Sequence, residues 1–164
     1  EHMVRLLRGL AIAIAVLAIL VAGAIFVMSD PDVPAAELEA QYGVQPSQFL
    51  MLPSGARAHV RDRGPRDAPV LVLIHGSNAA LFTWEPWVTR LQNDFRVVTM
   101  DMPAHGLTGP IPSDDYSLKS MAAFTVEVVT ALGIDKFAVA GNSMGAGVAT
   151  RVALDNPDRV THLI

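Results

Sequence analysis

Downstream of Val70, short runs of continuously apolar residues alternate with longer stretches in which apolar residues recur at helical spacing. A continuous apolar run is typical of a strand buried on both faces, whereas apolar residues at positions i, i+3 and i+4 are typical of a helix with one buried face. The pattern predicts strands at 70–74, 95–100, 137–140 and 160–164, and helices at 84–91, 118–132 and 143–156. This alternation predicts an α/β fold in which helices cover both faces of a mostly parallel sheet.

Two short elements precede this region, and their turn residues define them. Residues 34–42 predict a short helix, because a proline opens the segment and Gly43 stops it. Residues 49–52 and 58–61 flank the turn signal Pro-Ser-Gly at 53–55, which predicts an antiparallel hairpin. We therefore expect the globular domain to begin near residue 49.

The N-terminal segment has no polar face at all. Residues 10–28, LAIAIAVLAILVAGAIFVM, contain no charged or strongly polar side chain. A helix of nineteen residues spans about 28 Å, close to the roughly 30 Å hydrocarbon core of a bilayer. Arg5 and Arg8 precede this run, so the positive-inside rule predicts that the N-terminus lies in the cytoplasm and the globular part on the opposite side.

A cleavable signal peptide is the alternative interpretation of this segment. The sequence Ala-Gly-Ala at 22–24 resembles a cleavage site, and cleavage would release a secreted protein. The apolar run continues through residues 25–28, which favours a retained anchor. A buried core helix is disfavoured because no helical period shows a polar face. Glu1 and His2 precede Met3 and are interpreted as an artificial extension.

Composition narrows the partners and the chemistry. The net charge is −4 with acidic and basic residues interspersed, and no Lys/Arg cluster marks a phosphate-binding surface, so nucleic acid is not an expected partner. Cysteine is absent, which excludes disulfides, thiolate catalysis and Cys-ligated zinc. The five histidines lack metal-ligand spacing, so we expect neither a metal nor an organic cofactor.

The strongest chemical motif is G-N-S-M-G at 141–145, between a predicted strand and a predicted helix. G-x-S-x-G in this setting is a nucleophile elbow, a sharp turn that needs small residues two positions before and after the serine. It would present the Ser143 hydroxyl at the carboxyl end of the strand. The unpaired N–H of Met144, at the start of the helix, would stabilise an oxyanion. The other interpretation is a glycine-rich helix start with Ser143 as an N-cap.

A second motif, H-G-S-N at 75–78, directly follows the strand at 70–74. Hydrolysis by a serine nucleophile on such a sheet needs a second oxyanion donor from this loop. We assign this role to the backbone N–H of Ser77. Gly76 would let the backbone approach the substrate closely. Gly76, Asn78 and Asn142 are predicted to line the substrate pocket. His75 sits at the strand end and is interpreted as structural, and an ordinary strand-end turn is the alternative for the whole motif.

The third motif is D-M-P-A-H-G at 101–106, after the strand at 95–100. Together the three motifs resemble the α/β-hydrolase superfamily, in its group of esterases, lipases and carbon–carbon-bond hydrolases, over roughly residues 49–164. The resemblance implies that Asp101 and His105 are structural. Ala104 departs from the glycine usual in that family. Epoxide hydrolases and dehalogenases of this fold carry aspartate at the nucleophile position, so Ser143 argues against both.

The partners of a serine nucleophile are missing from the predicted site. A serine hydroxyl needs a general base oriented by a carboxylate, and in this superfamily both follow the serine in the chain. His162, Asp155 and Asp158 are predicted to lie at the wrong end of their elements. The chain also stops inside an apolar strand. We therefore expect the acid, the histidine and the lid on a continuation or on a second chain.

The sequence thus predicts a membrane-anchored serine hydrolase, carboxylesterase-like, that cleaves a small-molecule ester or acyl substrate through an acyl-enzyme on Ser143. A carbon–carbon-bond hydrolase acting on ketone ring-cleavage products is one alternative, and a non-catalytic anchored binding module is another. The predicted organisation is a basic cytoplasmic segment, an anchor or signal segment, a linker with a short helix, and the N-terminal part of the hydrolase domain, at 1–9, 10–28, 29–48 and 49–164.

Overall fold

The computed structural model describes residues 1–29 and 32–164. It divides into two compact units, Glu1–Pro34 and Ala35–Ile164. The first unit contains helix α1, His2–Met28, which begins earlier than the apolar run because the arginine-containing segment is also helical. None of its residues is buried. By length and apolarity α1 could cross a membrane, and an N-terminal signal sequence meets the same two criteria.

The second unit contains four helices, a 3₁₀ turn and six strands. Its helices are α2 (Ala35–Tyr42), α3 (Glu85–Leu91), α4 (Leu118–Ala131) and α5 (Met144–Asp155), and the 3₁₀ turn Leu81–Trp84 leads into α3. Its strands are β1 (Ser47–Met51), β2 (Arg57–Arg63), β3 (Val70–Ile74), β4 (Arg96–Met100), β5 (Phe137–Gly141) and β6 (Val160–Leu163). The hairpin strands β1 and β2 are longer than the segments 49–52 and 58–61 that the pattern predicts.

The six strands form one mixed, mostly parallel sheet in the order β1-β2-β4-β3-β5-β6. Strands β4, β3, β5 and β6 pair in parallel, while β1 and β2 add antiparallel at one edge. The chain leaves β3 to form β4 on one side and then crosses to form β5 on the other. The carboxyl ends of these three strands therefore meet at a switch in strand order, where open α/β sheets bind ligands.

Alternating side chains of the central strands form two apolar layers. Val72 and Ile74 of β3 face a core that α4 and α5 cover, and Leu71 and Leu73 face the layer that Trp84 and Val88 cover. Because β3 is buried on both faces, its sequence is apolar at every position rather than at every second one. Burial of each such side chain contributes about 1.5–3 kcal/mol, so the sheet gives a rigid base to the loops at its carboxyl edge.

Candidate active site

Ser143 lies in the turn between β5 and α5 with a left-handed backbone, at φ 54° and ψ −119°. A residue with a side chain adopts this region at a cost of about 1–3 kcal/mol, and such strain is concentrated at functional sites. Its side chain makes no capping hydrogen bond to α5, and the residue is exposed. The hydroxyl is therefore available to solvent, which argues against the interpretation of Ser143 as an N-cap.

The two glycines of the elbow are required by backbone contacts. A Cβ on Gly141 would lie 2.1 Å from the carbonyl oxygen of Gly145, and a Cβ on Gly145 would lie 2.2 Å from the carbonyl oxygen of Ile74. Real Cβ atoms do not approach backbone this closely. The first turn of α5 thus packs directly onto the end of β3, and this packing fixes where Ser143 stands.

The amide of Met144 is free to donate at the start of α5. The N–H of Asn142 is bound to the carbonyl of Ile74, and the N–H of Gly145 is bound to the carbonyl of Asn142. Among the described residues, no acceptor is paired with the N–H of Met144. Helix-terminal amides of this kind carry partial positive charge and favour an anion.

The loop after β3 lies directly against this elbow. A Cβ on Gly76 would stand 3.1 Å from Ser143 Cβ and 3.1 Å from the carbonyl oxygen of Asn142. Ser77 and Asn78 follow it and are exposed, and the N–H of Ser77 has no acceptor in the described part of the chain. The structure thus brings together Gly76 and the elbow, with Ser77, Asn78 and Asn142 at the open side.

His75 is fully buried behind this loop. Its Nδ1 donates to the carbonyl oxygen of Gly76 at 2.8 Å, and its Nε2 accepts from the N–H of Met102 at 3.0 Å. Burial lowers the pKa of His75, because an imidazolium without water is disfavoured. Both ring nitrogens are committed to backbone groups, which agrees with a structural residue rather than a general base.

Asp101 joins the loops that follow β3 and β4. Its carboxylate accepts from the N–H of Leu81 at 2.7 Å and from the N–H of Leu107 at 2.8 Å. It also lies 2.6 Å from Nδ1 of His59. Burial alone would raise the pKa of Asp101, but these three hydrogen bonds outweigh it and hold the pKa below its ordinary value.

His59 is a residue that the sequence pattern did not single out. Its Nε2 lies 2.8 Å from Ser47 Oγ, so Ser47, His59 and Asp101 form a serine–histidine–aspartate chain. These residues are 5%, 0% and 0% exposed, so no substrate reaches them and the chain is structural. The one local signal is a histidine between Ala58 and Val60 in strand β2, where an apolar residue would be usual.

No histidine or carboxylate side chain is hydrogen-bonded to the hydroxyl of Ser143 within residues 1–29 and 32–164. His162 pairs in register with Ala138 near the start of β5, several residues before Ser143. Asp155 ends α5 and is bound to Arg151 at 2.7 Å. Neither residue contacts the hydroxyl of Ser143.

The described ranges also contain no cluster of three or more histidine, cysteine or carboxylate side chains suited to a metal ion.

Comparison with known proteins places this arrangement in a family. The model of the α/β hydrolase fold family matches residues 69–164. RutD of Escherichia coli O139:H28, a candidate carbamate hydrolase, is 39% identical over 98 residues, which are 60% of this chain and 37% of that protein. The chain thus spans well under half the length of the curated relatives it matches.

Two groups of solved structures share the fold. One is the crystal structure of a membrane phospholipase A, described as a bacterial virulence factor. Its alignment covers 97% of this chain and 50% of the phospholipase chain, with a TM-score of 0.70 and 25% identity. Another is a structure of epoxide hydrolases from metagenomes of hot environments. Its alignment covers 73% of this chain and 41% of the epoxide hydrolase chain, with a TM-score of 0.68 and 28% identity.

Proposed function

The chain belongs to the α/β-hydrolase fold family, and from that premise we propose that it supplies the nucleophile half of a serine hydrolase that cleaves carboxylic esters. The placement of Ser143 is the observation that supports this: an exposed, uncapped hydroxyl on a left-handed turn. Beside it are the N–H of Met144 and the loop that bears the N–H of Ser77, neither of which has an acceptor among the described residues. A non-catalytic binding module would not need this strained turn.

In the proposed reaction, Ser143 Oγ attacks the acyl carbon while a base removes its proton. The carbonyl oxygen becomes an oxyanion that accepts from the N–H groups of Ser77 and Met144. Collapse of this intermediate expels the alcohol, which takes the proton, and leaves the acyl group on Ser143. Water then attacks the acyl-enzyme in the same way and releases the acid. Loss of one oxyanion donor typically lowers kcat by about 10²–10³.

We propose that the base and its carboxylate partner come from residues outside 1–164, on a continuation or on a second chain. Within the described ranges, none of the histidines near the sheet's carboxyl edge is hydrogen-bonded to Ser143. His75 is bound to two backbone groups, and His59 is bound to Asp101 and Ser47. His105 is bound through Nδ1 to the carbonyl of Pro103 at 2.9 Å. The matched relatives extend beyond the shared segment, which leaves room for such residues. No metal or organic cofactor takes part in the proposed steps.

The proposed substrate is an acyl ester that resides at a membrane, and α1 is the proposed anchor. Helix α1 has the length and apolarity of a membrane span. The alignment with the membrane phospholipase A covers nearly the whole chain, including most of α1. The proposed location of the hydrolase domain is the non-cytoplasmic side, because Arg5 and Arg8 lie in the first turns of α1, before its apolar run.

Carbamate hydrolysis is a second candidate, and the identity of 39% to the RutD protein favours it. A carbamate also presents a carbonyl carbon to a nucleophile and forms the same type of oxyanion. Epoxide opening is not proposed. The family resemblance implies an aspartate at the elbow of epoxide hydrolases, where this chain has the hydroxyl of Ser143.

Covalent labelling of the full-length protein with a fluorophosphonate tests the assignment. Intact-mass analysis should show one adduct, with peptide mapping to Ser143. Ser143→Ala should remove the adduct, whereas Ser113→Ala, at an exposed serine in the loop before α4, should keep it. A folded protein without an adduct would overturn the hydrolase proposal in favour of the binding module.

Turnover assays on the wild-type protein, once it has been shown to react with the fluorophosphonate, then separate the substrate classes. We expect hydrolysis of p-nitrophenyl butyrate and release of fatty acid from phosphatidylcholine vesicles. Turnover of aryl carbamates with no ester hydrolysis would favour the second candidate. Turnover of ring-cleavage dienones with no ester hydrolysis would instead favour a carbon–carbon-bond hydrolase.

A further inference from the structure

His75 holds the peptide group that includes the proposed oxyanion donor of the loop. A carbonyl oxygen can only accept and a peptide N–H can only donate. The contacts of His75 with the carbonyl of Gly76 and the N–H of Met102 therefore fix one tautomer, with the proton on Nδ1 and the lone pair on Nε2. The ring is 0% exposed, so water does not compete for either bond.

The carbonyl of Gly76 and the N–H of Ser77 belong to the same peptide group. The bond between Gly76 and Ser77 is trans, since the cis bond among the described residues lies at Gln45–Pro46. In a trans peptide the C=O and N–H vectors point in opposite directions within one plane. When His75 fixes the direction of the oxygen, it also fixes the direction of the N–H of Ser77, away from the buried ring.

Gly76 makes such a restraint necessary. A side chain at this position would crowd Ser143 Cβ and the carbonyl of Asn142, both 3.1 Å from the Cβ site, so glycine suits the close approach. Glycine also gives its backbone the widest choice of conformations, so the following peptide is free to rotate. The hydrogen bond from His75 restores the lost restraint.

The ring is itself held by a rigid part of the fold. Met102 is the second residue after β4, and the residue between them, Asp101, binds the N–H groups of Leu81 and Leu107. The orientation of the Ser77 N–H is thus linked through His75 to the end of β4.

We propose that His75 is a positioning residue that keeps the Gly76–Ser77 peptide oriented with the Ser77 N–H toward the oxyanion of the acyl-transfer transition state. The inference rests on the proposed function. It assigns His75 no contact with the substrate and no proton transfer. It predicts that the bond to Gly76, rather than the bond to Met102, determines the rate.

Two variants of similar polarity separate these bonds. In His75→Asn the amide nitrogen reaches the site of Nδ1 and donates to Gly76, without an acceptor for Met102. In His75→Gln the longer side chain reaches the site of Nε2 and accepts from Met102, without a donor for Gly76. We expect His75→Gln to lower kcat about 10- to 100-fold with little change in KM, because the oxyanion forms only in the transition state. We expect His75→Asn to stay within about fivefold of wild type.

A double-mutant cycle tests whether His75 acts through Ser77. Ser77→Pro removes the N–H, so His75→Gln should lower kcat by less than about twofold further in that background. If the double variant instead lost kcat by the product of the two single losses, His75 would act independently of Ser77, and the proposal would be overturned. Equal kcat for His75→Asn and His75→Gln would overturn it as well. So would losses of kcat that are proportional to the decrease in Tm of each variant. His162→Asn, at an exposed histidine in β6, is the control with unchanged kcat and Tm.

The order of measurements separates the two proposals. Fluorophosphonate labelling and ester turnover of the wild-type protein come first, and failure there overturns the proposed function itself. With an active wild type, the pH profile of His75→Asn gives a further readout. Asp101 and His105, whose ring centroid lies 5.2 Å from that of His75, are the ionisable groups that face the ring. Both groups remain in each variant. A difference between wild type and His75→Asn in the acid limb of the pH profile of kcat therefore reports the ionisation of His75.

Discussion

The α-carbon of Gly141 faces the carbonyl oxygen of Gly145 so closely that an added Cβ would lie 2.1 Å from it. The obstacle is backbone on both sides, at the end of a buried strand and the first turn of a helix, so neither side can move away easily. The nucleophile's position therefore depends on two residues that have no side chain.

Gly141→Ala should destabilise the protein by about 1–3 kcal/mol or more, because the added methyl group overpacks a rigid contact. Thermal unfolding in detergent would measure the loss, and fluorophosphonate labelling of Ser143 should slow in the surviving folded fraction. Gly147→Ala is the matched control within α5, where the nearest atoms to a new Cβ are Leu118 methyl groups at 3.4 Å. That variant should gain about 0.5–1 kcal/mol from helix propensity. A Gly141→Ala protein as stable as wild type would contradict the packing argument.

Ala104→Gly should stabilise the fold by about 0.5–1 kcal/mol. Ala104 is held at φ 63° in the turn after β4, a left-handed conformation that glycine adopts without strain. The comparison is Ala123→Gly on the exposed face of α4, which should cost about 1 kcal/mol because the helix loses its best former. Opposite shifts in Tm for the two alanine-to-glycine changes would support the strain, and shifts of the same sign would argue against it.

Stability should fall in acid through Asp101. Its pKa is lower in the folded protein than in the unfolded chain, so its contribution is complete above the unfolded value of about 3.9 and is lost as the pH falls toward the folded value. Asp101→Asn should remove this part of the acid sensitivity. The variant should also lose about 1–3 kcal/mol at pH 7, because an amide has one acceptor oxygen for the three donors that surround it.

Urea unfolding at pH 7, 5 and 3.5 measures both effects. Asp155→Asn is the control, since the exposed pair of Asp155 with Arg151 contributes only about 0–1 kcal/mol. An Asp101→Asn protein that keeps the wild-type slope of stability against pH would show that other groups cause the acid loss.

Alkaline phosphatase fused after Pro34 should be active in cells, since that enzyme requires a non-cytoplasmic location. The N-terminal mass of the mature protein decides between a retained anchor and a signal peptide cut after Ala24. Changing Arg5 and Arg8 to glutamate should reduce phosphatase activity by weakening the charge bias that orients α1. An inactive fusion with intact α1 would contradict the proposed orientation.

The local pattern was sufficient for those elements whose burial is uniform. The run VLVLI at 70–74 predicts β3 with its observed bounds, and the family resemblance read from the three motifs is confirmed by the match over residues 69–164. Each of these signals lies within a few neighbouring residues. The three motifs could be assigned to the carboxyl edge of the sheet because each directly follows a predicted strand in the chain.

Strand β2 was only partly predictable because its burial depends on distant partners. Its sequence, RAHVRDR, has five polar residues, yet Arg61 and Asp62 are buried. Arg61 binds Ser47 and Glu85, and Asp62 binds Arg66 and Arg96. Three of these four partners lie at least 14 residues away in the chain. The role of His59 is hidden in the same way, since Asp101 is 42 residues downstream.

The strand order has a consequence for the chain as it is synthesised. Strand β3 pairs with β4 on one side and with β5 on the other, and 67 residues separate the end of β3 from the end of β5 (141 − 74). At roughly 5–20 residues per second, the ribosome needs about 3–13 s to make them. During that time VLVLI has an open edge, and a segment with high β-propensity and no charge is prone to pair with other chains. In an incomplete chain the open edge of β3 is therefore the part of this sheet most exposed to mispairing with another chain.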